Sequence, residues 1–401
     1  MEHAQHTGGD GVTDIAIITN EPTPYRAHLN ARFESELSEE GFRAHFLYTQ
    51  PRGKTSVPWD VAESERQHVV YFTSSAGTSR LAQKNLLADI RDYLVANRIR
   101  FILLQGYMGP VRRGLIKWAH RANIPLFIRG DSNIFADRNL PIVKKFAKHL
   151  YLRRVARQVT GFLPMGTAGR AFFHYYAGRP RPMFLCPYEP SYDAWRTAGP
   201  NESRMLNERF GWDPARRRLL YSGRMIGIKR VDIVLRAFVD LAQKRPAWDL
   251  VLAGDGPLRE LLAASIPPHL DHRVQWLGFQ QAEDLAAIYR GCHLLVHAAE
   301  YEPWGLIITE AMAAGLPVVT TDVVGAAIEL IRDGHNGYIT PPGDAELFAA
   351  AVFRATDEEH RLLLAVAGAD ELVRWRKLAD PVEGLRRALQ HCRLRTAGQQ
   401  N

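Results

Sequence analysis

Residues 294–315 read LLVHAAEYEPWGLIITEAMAAG, and this stretch decides which fold the chain can adopt. The largely apolar run 294–297 predicts a strand that is buried on both faces. From Leu306 onward, apolar residues recur at helical spacing until Gly315, which predicts a helix that ends at a glycine. A buried strand, a short loop and a helix together form the building unit of a parallel α/β sheet.

The unit contains two carboxylates, Glu302 on the loop and Glu310 in the helix that follows it. We expect Glu302 at the C-terminal end of the strand and Glu310 about two turns further on, inside the helix. Backbone N–H groups near Gly305 and Leu306 then lack partners and favour an anion, which Gly305 lets approach closely. On this stretch alone, an ordinary surface loop and an anion-binding loop both remain open.

Composition limits the class of protein. A chain of 401 residues with 46% hydrophobic residues can bury a large core and predicts two or three domains. No run approaches the ~20 apolar residues of a membrane span, and the first residues lack the apolar core of a signal peptide. The three cysteines lie far apart, which fits a reducing compartment and argues against a zinc site or a disulfide framework. The composition predicts a cytoplasmic protein.

The positive charge lies in the first half of the chain. Residues 1–187 carry 26 Lys and Arg against 15 Asp and Glu, whereas the whole chain has a net charge of +8. A basic half suits an anionic partner such as a phospholipid surface, a lipid diphosphate or a nucleic acid. Surface arginines without a specific role are the commoner explanation of such an excess.

Short apolar runs alternate with longer amphipathic ones, which predicts mostly parallel sheets with helices on both faces. In the first half the predicted strands are 15–19, 45–48, 69–72, 101–105, 126–129 and 162–165, with helices near 26–39, 80–97, 111–122, 142–157 and 167–176. In the second half the predicted strands are 219–222, 250–253, 274–277, 294–297, 318–321 and 338–340, with closing helices near 358–377 and 381–393.

Five prolines between residues 180 and 200 interrupt regular structure and predict a linker there. The fold class is therefore α/β, with two Rossmann-like, doubly wound domains whose ligands lie outside the C-terminal strand ends. The predicted division is a flexible tail 1–13, a first domain 14–187 completed by the helix 380–393, a linker 188–200 and a second domain 201–378.

Two cations follow the first strand of the second half. Gly223 and Arg224 end this strand, and Lys229 comes five residues after Arg224, at the start of a helix. Fixed cations at this place suit a diphosphate. A merely solvated basic helix start is the less favoured interpretation, because positive charge there opposes the helix dipole unless an anion offsets it.

Gly278 and Phe279 end the third strand of the second half, within LGF at 277–279. They are placed to present backbone and a ring to a nucleotide base, although packing is the commoner role of such a phenylalanine.

Read in order, the second half resembles glycosyltransferase family 4, also called glycosyl transferases group 1. The resemblance spans about residues 215–350, and in the first half it rests only on NEPTPYR at 20–26. The blocks that carry it are SGRMIGIKRVD (222–232), AGDGP (253–257), LGF (277–279), EYEPWGLIITEAMAAGLPVVTT (300–321) and GHNGYITPPGD (334–344). The family implies retaining enzymes of the GT-B architecture, in which two Rossmann-like domains face each other across a deep cleft.

The resemblance also implies roles for individual residues. Arg224 and Lys229 would hold the diphosphate of a nucleotide-sugar, Glu302 would face the sugar hydroxyls and Glu310 the ribose hydroxyls. The implied catalytic residues are Arg224, Lys229 and Glu302, and the implied substrate-binding residues are Gly223, Arg224, Lys229, Gly278, Phe279, Glu302, Trp304, Gly305, Leu306 and Glu310. No Asp-x-Asp pair occurs, so we expect no bridging metal and no other cofactor.

The first half departs from the family. Residues 22–25 (PTPY) replace the usual glycine-rich loop, and residues 129–133 (RGDSN) stand where a histidine often contacts the donor sugar. Arg129 and Asp131 either substitute for that contact or form an ion pair at the strand end, and both interpretations remain open. The candidates for the acceptor or sugar side are Tyr25, Arg26, Gln105, Arg129 and Asp131.

The predicted helix 142–157 contains six Lys and Arg, with Val143, Phe146, Ala147, Leu150 and Val155 on another face. This pattern suits docking on an anionic membrane, where a lipid-linked acceptor would lie. A solvated basic face over a core stripe is the commoner explanation.

The sequence thus predicts a retaining glycosyltransferase that moves a sugar from a nucleoside-diphosphate-sugar to a glycan or lipid-linked acceptor, in bacterial surface polysaccharide or glycoconjugate biosynthesis. We expect it in the cytoplasm, with peripheral contact at the inner face of the membrane. A sugar phosphorylase or a nucleotide-sugar epimerase on the same fold is the alternative. Nucleic-acid binding by the basic half is more distant, because no recognised nucleic-acid motif is present, and no nucleic acid is expected as a partner.

Overall fold

The computed structural model describes residues 12–50, 58–61, 68–72, 79–138, 140–196 and 200–397. The flexible tail predicted for residues 1–13 lies, up to residue 11, outside the described residues.

The first half of the chain forms a six-stranded sheet in which every pair of neighbours is parallel. Its strands are β1 (Thr13–Thr19), β2 (Phe42–Tyr48), β3 (Val69–Tyr71), β4 (Phe101–Gln105), β5 (Leu126–Gly130) and β6 (Gly161–Pro164), in the order β3-β2-β1-β4-β5-β6. Central strands such as β4 are buried on both faces, which is why they read as continuous apolar runs.

Helices cover both faces of this first sheet. They are α1 (Pro24–Ser38), α2 (Arg80–Ala96), α3 (Pro110–Arg121), α4 (Ile142–Gln158) and α5 (Thr167–Ala177). Side chains of α2, α3, α4 and α5 share one core cluster, whereas α1 belongs to the cluster on the opposite face.

The second half forms another six-stranded parallel sheet. Its strands are β7 (Arg217–Ser222), β8 (Trp248–Ala253), β9 (Val274–Gly278), β10 (Leu294–His297), β11 (Val318–Thr321) and β12 (Gly337–Thr340), in the order β12-β11-β10-β7-β8-β9. The predicted fold class, with two Rossmann-like domains, is therefore confirmed.

The remaining helices pack around this second sheet or return to the first. They are α6 (Pro200–Phe210), α7 (Val231–Lys244), α8 (Arg259–Ala263), α9 (Ala282–Gly291), α10 (Leu306–Ala313), α11 (Gly325–Leu330), α12 (Ala345–Ala355), α13 (Glu358–Leu378) and α14 (Pro381–Ala397). Asp344 and Asp357 accept hydrogen bonds from the first-turn backbones of α12 and α13, which explains where these two helices begin.

The last helix leaves the second sheet and packs against the first. Val382, Leu385 and Leu389 of α14 join the core beneath β1, β2 and α1. The sequence predicted such a return for residues 380–393, while the division into domains at residues 187 and 200 stays a prediction.

Both sheets reverse their strand order at one point, between β1 and β4 in the first and between β7 and β10 in the second. In doubly wound sheets, the crevice outside the carboxyl ends at such a reversal is where ligands bind. The fold therefore offers two crevices for the functional residues, one for each sheet.

Close packing of α14 generates a stability prediction. A methyl group at Gly384 would lie 1.8 Å from the Leu185 carbonyl oxygen, so that the helix would have to move. We expect Gly384→Ala to lower the free energy of unfolding by about 1–3 kcal/mol, measured by chemical denaturation followed by circular dichroism.

Gly368, within α13, is the matched control, since a methyl group there would lie 3.8 Å from its nearest neighbours. Gly368→Ala should leave the free energy of unfolding unchanged or raise it by up to about 1 kcal/mol through helix propensity. Equal losses in the two variants would contradict the packing described for α14.

Candidate functional site

The crevice of the second sheet brings together the loops that follow β7 and β10. The Glu300 N–H donates to the Ile228 carbonyl oxygen at 2.9 Å, which fastens one loop to the other. At the same place the Lys229 ammonium forms an ion pair with the Glu302 carboxylate. Two residues predicted to share a site from separate motifs are thus in direct contact.

Gly305 shapes the start of α10. Its φ is 90°, in the left-handed region, and a methyl group there would lie 2.9 Å from Val324 and 3.0 Å from Glu302. Only glycine fits this turn without strain, because both the backbone angle and the surrounding atoms exclude a side chain. The turn leaves the first N–H groups of the helix beside Glu302.

Arg224 is the second cation of the crevice. Its carbonyl oxygen accepts a hydrogen bond of 2.9 Å from the Tyr221 hydroxyl, which fixes the backbone. Its side chain is exposed, and within the described part of the chain no carboxylate pairs with it. The crevice therefore contains one cation that is neutralised by Glu302 and one that is free to meet an anion.

Glu310 lies one turn into α10 and faces the buried Tyr289. Burial raises the pKa of Glu310 to about 8, against a smaller opposite effect of Tyr289. The Tyr289 hydroxyl is buried and makes no hydrogen bond of normal length within the described residues. Glu310 and Tyr289 thus face each other near Ser222 at the end of β7, and the Tyr289 hydroxyl has unused hydrogen-bonding capacity.

His297 was missed by the sequence analysis, which treated it only as the last residue of a strand. Its Nε2 lies 3.7 Å from the Glu302 carboxylate, and neither ring nitrogen has a hydrogen-bond partner among the described residues. Burial, and then the Lys229 ammonium, lower the pKa of His297 to about 3, so the ring is neutral. A histidine that closes a buried strand just before the key loop was the available signal.

Three other residues predicted to bind the donor, Trp304, Gly278 and Phe279, differ in burial and in their contacts. Trp304 is buried, and its indole N–H donates to the Tyr188 carbonyl oxygen at 3.2 Å, so its ring serves packing and only its backbone adjoins Gly305. Gly278 has a φ of 68° at the end of β9. Phe279 packs edge-on against Trp59, with the ring centroids 5.0 Å apart.

Residues after the strands of the first sheet reach the same crevice. The Asn133 side-chain amide donates to the carbonyl oxygens of Glu302 at 3.3 Å and Pro303 at 3.0 Å. The Thr167 hydroxyl, after β6, donates to Glu329 at 2.6 Å. The carboxyl ends of the two sheets therefore face each other, and Asn133 is a further residue that the sequence analysis did not identify.

Four acceptor-side candidates gather around one residue, Tyr188. The rings of Tyr25 and Tyr188 lie 5.0 Å apart, and the Gln105 amide donates to the Tyr188 hydroxyl at 2.7 Å. The Arg129 guanidinium lies over the same ring at 4.5 Å, while Arg26 lies over the ring of its neighbour Tyr25. The sequence placed Tyr188 in a linker and gave it no role.

Arg129 and Asp131 have different environments. Arg129 is buried and donates to the carbonyl oxygens of Cys186 and Pro187, at 2.9 and 2.6 Å. Asp131 is exposed, and no ion pair joins it to Arg129 in the described structure. Burial, and then the Asp131 carboxylate, raise the pKa of Tyr301, which places Asp131 beside the loop that carries Glu302. Arg129 thus supports the backbone, whereas Asp131 is free to meet a ligand.

Taken together, the second crevice offers a free guanidinium, a paired lysine and glutamate, and the start of a helix. Such a set binds a phosphate-containing anion through charge and through backbone N–H groups. Within the residues that the structure describes, no three His, Cys, Asp or Glu side chains are grouped as metal ligands.

Comparison with known families agrees with this placement. Residues 204–368 match the family model described as glycosyl transferases group 1. The resemblance inferred from the sequence motifs is therefore confirmed for this part of the chain.

Curated relatives match over less than half of the chain. The alpha-D-kanosaminyltransferase of Streptomyces kanamyceticus is 35% identical over 154 residues, which are 38% of this chain and 39% of the relative. The N-acetyl-alpha-D-glucosaminyl L-malate synthase of Bacillus anthracis is 33% identical over 159 residues, 39% and 41% of the two chains. The chain thus spans less than half of the length of these curated relatives.

Solved structures match over nearly the whole chain. The sucrose-phosphate synthase of Thermosynechococcus elongatus has a TM-score of 0.74 at 17% identity, covering 95% of this chain and 100% of that one. Anabaena HepE, solved in complex with UDP and glucose, has a TM-score of 0.68 at 20% identity, covering 95% and 99%. At such identities the likeness shows the fold alone, which is the GT-B arrangement.

The raised pKa of Glu310 generates a pH prediction. The folded state holds the carboxyl proton up to about pH 8, whereas the unfolded state releases it near the ordinary value of 4.5. Stability therefore falls as the pH rises from 4.5 to 8. The slope is at most roughly 1.4 kcal/mol per pH unit.

Glu310→Gln cannot ionise, so its free energy of unfolding should increase relative to that of the unsubstituted protein as the pH rises through this window. Denaturation curves of both proteins at pH 5.5, 6.5 and 7.5 measure the difference. A difference that is independent of pH would show that Glu310 is ionised throughout and has no raised pKa.

Proposed function

We propose that the protein is a retaining glycosyltransferase that moves a sugar from a nucleoside-diphosphate-sugar to a glycan or lipid-linked acceptor, without a metal. The observation that carries the proposal is that the loop after β7, with Arg224 and Lys229, meets the loop after β10, with Glu302 and Gly305, at the reversal point of the second sheet. A nucleoside diphosphate matches this arrangement, because its charge needs cations and backbone donors in one crevice.

The donor is held from both ends in this proposal. Arg224, Lys229 and the start of α10 hold the diphosphate, and Glu310 accepts hydrogen bonds from the ribose hydroxyls. Ribose hydroxyls favour the ionised carboxylate of Glu310, so donor binding would release its proton. The UDP and glucose bound in Anabaena HepE support this class of donor.

Transfer breaks the bond between the anomeric carbon and the phosphate oxygen, and its electron pair stays on the diphosphate. Arg224 and Lys229 stabilise the negative charge as it develops, which lowers the barrier without a metal ion. The acceptor hydroxyl attacks the anomeric carbon from the face that the diphosphate leaves, and its proton passes to the departing phosphate oxygen. Attack from that face retains the anomeric configuration.

Glu302 changes partners in this mechanism. In the structure its carboxylate neutralises Lys229, and the neutral His297 lies 3.7 Å from the same carboxylate. A bound diphosphate competes for Lys229, which frees Glu302 to accept hydrogen bonds from the sugar. The ion pair thus keeps the two side chains in place until the donor arrives.

The proposed acceptor is lipid-linked, because α4 exposes large apolar side chains. Val143 is 77% exposed, Phe146 64% and Leu150 54%, so the core stripe expected at these positions is wrong. Of the predicted stripe only Val155 is buried, together with Leu152 and Ala156 in the second half of α4. Exposed apolar residues of this size are a signal of a docking surface.

Charge favours an anionic bilayer as the occupant of this face. Helix α4 contains no Asp or Glu, and Lys144, Arg153, Arg154 and Arg157 are exposed along it. Helix α4 begins shortly after the loop that carries Asn133, which contacts the crevice. The exposed apolar residues at the start of α4 therefore lie at the same edge of the sheet as the crevice. No helix of the described chain is long and apolar enough to cross a membrane. The exposed apolar and basic side chains of α4 are the reason why peripheral contact at the inner membrane face is proposed.

Donor binding provides the first test. We expect Lys229→Ala to weaken UDP binding roughly 10- to 100-fold, because a charge-assisted contact is lost. Isothermal titration with UDP measures the affinity. Lys244→Ala, an exposed lysine at the other end of α7, is the matched control and should bind UDP normally. Normal UDP affinity in Lys229→Ala would overturn the proposed donor site.

Product analysis with labelled UDP-glucose separates the competing reactions. Sugar transfer supports the proposal, phosphate-dependent release indicates a phosphorylase, and an altered sugar indicates an epimerase.

Vesicle binding tests the membrane face. The protein should sediment with vesicles that contain phosphatidylglycerol, and salt should weaken this binding. Phe146→Asp should reduce it by about tenfold or more, because an apolar anchor is replaced by a charge that anionic lipid repels. Leu363→Asp, at a similarly exposed apolar residue of α13, should have no effect. Equal binding of the two variants would disprove the role of α4.

A further inference from the structure

The first sheet has a cavity of about 230 Å³ at its own reversal point, between β1 and β4. Thr19 ends β1 there, Thr49 follows β2, and the starts of α2 and α3 close the sides. This is the place in the first sheet that corresponds to the Arg224 and Gly305 crevice in the second. The space is roughly that of eight water molecules, which suits one small polar unit.

Among the described residues that line this cavity, Arg112 is the one with a charged side chain. Arg112 is half-buried, and its Nε donates to the Gln105 carbonyl oxygen at 2.8 Å. No Asp or Glu lines the cavity, and no carboxylate pairs with Arg112 in the part of the chain that the structure describes. A partly buried cation without a counter-charge is costly, unless an anion offsets it.

Neighbouring groups increase the free-energy cost of leaving the Arg112 charge without a counter-charge. Burial, and then the Arg26 guanidinium, lower the pKa of Arg112, so a second positive group lies near Arg112 without lining the cavity itself. Helix α3 begins at the same wall, and its N-cap Gly109 offers no side chain to satisfy the first N–H groups. Both effects favour negative charge at this point.

Polar groups beside Arg112 indicate what else the ligand carries. Gln83 lines the cavity, and its side-chain oxygen is buried without a hydrogen-bond partner among the described residues. It can accept a hydrogen bond from a ligand hydroxyl, and the hydroxyls of Thr19 and Thr49 lie on the adjacent strand ends. Ile18, Leu86 and Leu104 form the apolar floor.

A chain of contacts links this cavity to the donor crevice. Arg112 donates to the Gln105 carbonyl oxygen, the Gln105 amide donates to the Tyr188 hydroxyl, and the Tyr188 carbonyl oxygen accepts from Trp304. Trp304 directly precedes Gly305. The cavity and the donor site therefore belong to one connected part of the structure.

We infer that this cavity binds the acceptor, and that the acceptor presents to Arg112 a sugar unit bearing an anionic group, a phosphate or a carboxylate. This inference rests on the proposed function, since it names the chemistry of the second substrate. Arg112 meets the anion with the two guanidinium nitrogens that Gln105 leaves free, and Gln83 accepts from a sugar hydroxyl.

The test uses the full chain with saturating UDP, which fills the donor site so that an anionic probe is left with the acceptor cavity. Glucose 6-phosphate, glucuronate and glucose are titrated separately by calorimetry. We expect binding of glucose 6-phosphate or glucuronate, and the tighter of the two identifies the phosphate or carboxylate as the natural group. Glucose should bind weakest, because it lacks the charge.

Arg112→Gln keeps an amide that can donate to the Gln105 carbonyl but removes the charge. We expect it to weaken binding of the anionic probe roughly 10- to 100-fold. Arg113→Gln removes the same charge from the exposed next position and should leave the affinity unchanged. If Arg112→Gln does not fold, Arg112→Lys replaces it. This variant keeps a point charge without the planar fork, so a smaller loss is expected.

Two results would overturn the inference: equal affinity for glucose and the anionic probes, or the same affinity in Arg112→Gln and Arg113→Gln. Failure of UDP itself to bind would instead overturn the proposed donor site. The two failures are therefore distinguishable within one set of titrations.

Discussion

The approach of two sheet edges, held at Tyr188, is the constraint on which the site depends. Each sheet places all its loops at the carboxyl ends of its strands, and a single crevice forms only if those edges meet. Tyr188 joins them, because its hydroxyl accepts from Gln105 of the first sheet and its carbonyl oxygen from Trp304 beside the second. Asn133 adds a second contact, on the backbone of Glu302 and Pro303.

Several groups that lack a hydrogen-bond or ion-pair partner among the described residues lie at the two crevices. His297 lacks hydrogen bonds, Arg224 and Arg112 lack carboxylates, and burial shifts the pKa of Glu310 upward. Other buried arginines, such as Arg129 and Arg218, donate to backbone carbonyls. Because folded chains normally satisfy buried polar groups, these exceptions are typical of surfaces that complete their interactions with a ligand.

Much of the architecture could be predicted from the sequence, since strands such as β4 and β10 are buried on both faces and read as unbroken apolar runs. Lys229 and Glu302 could also be predicted to meet, because their motifs end neighbouring strands. The role of Tyr188 could not, since it depends on contacts with residues far away in the chain. For α4 the pattern was misleading: spacing reveals a shared face, but only the packing shows that Phe146 points to solvent.

The return of α14 to the first sheet means that the chain passes between the two halves twice. The two passages lie side by side, with the Cys186 thiol 3.4 Å from the Pro381 carbonyl oxygen and Gly384 against Leu185. Two domains joined by one connecting segment can rotate freely relative to each other. Two adjacent connecting segments restrict this motion to rotation about one hinge axis. Opening and closing of the crevice should therefore follow a bending motion about this axis, with twisting suppressed.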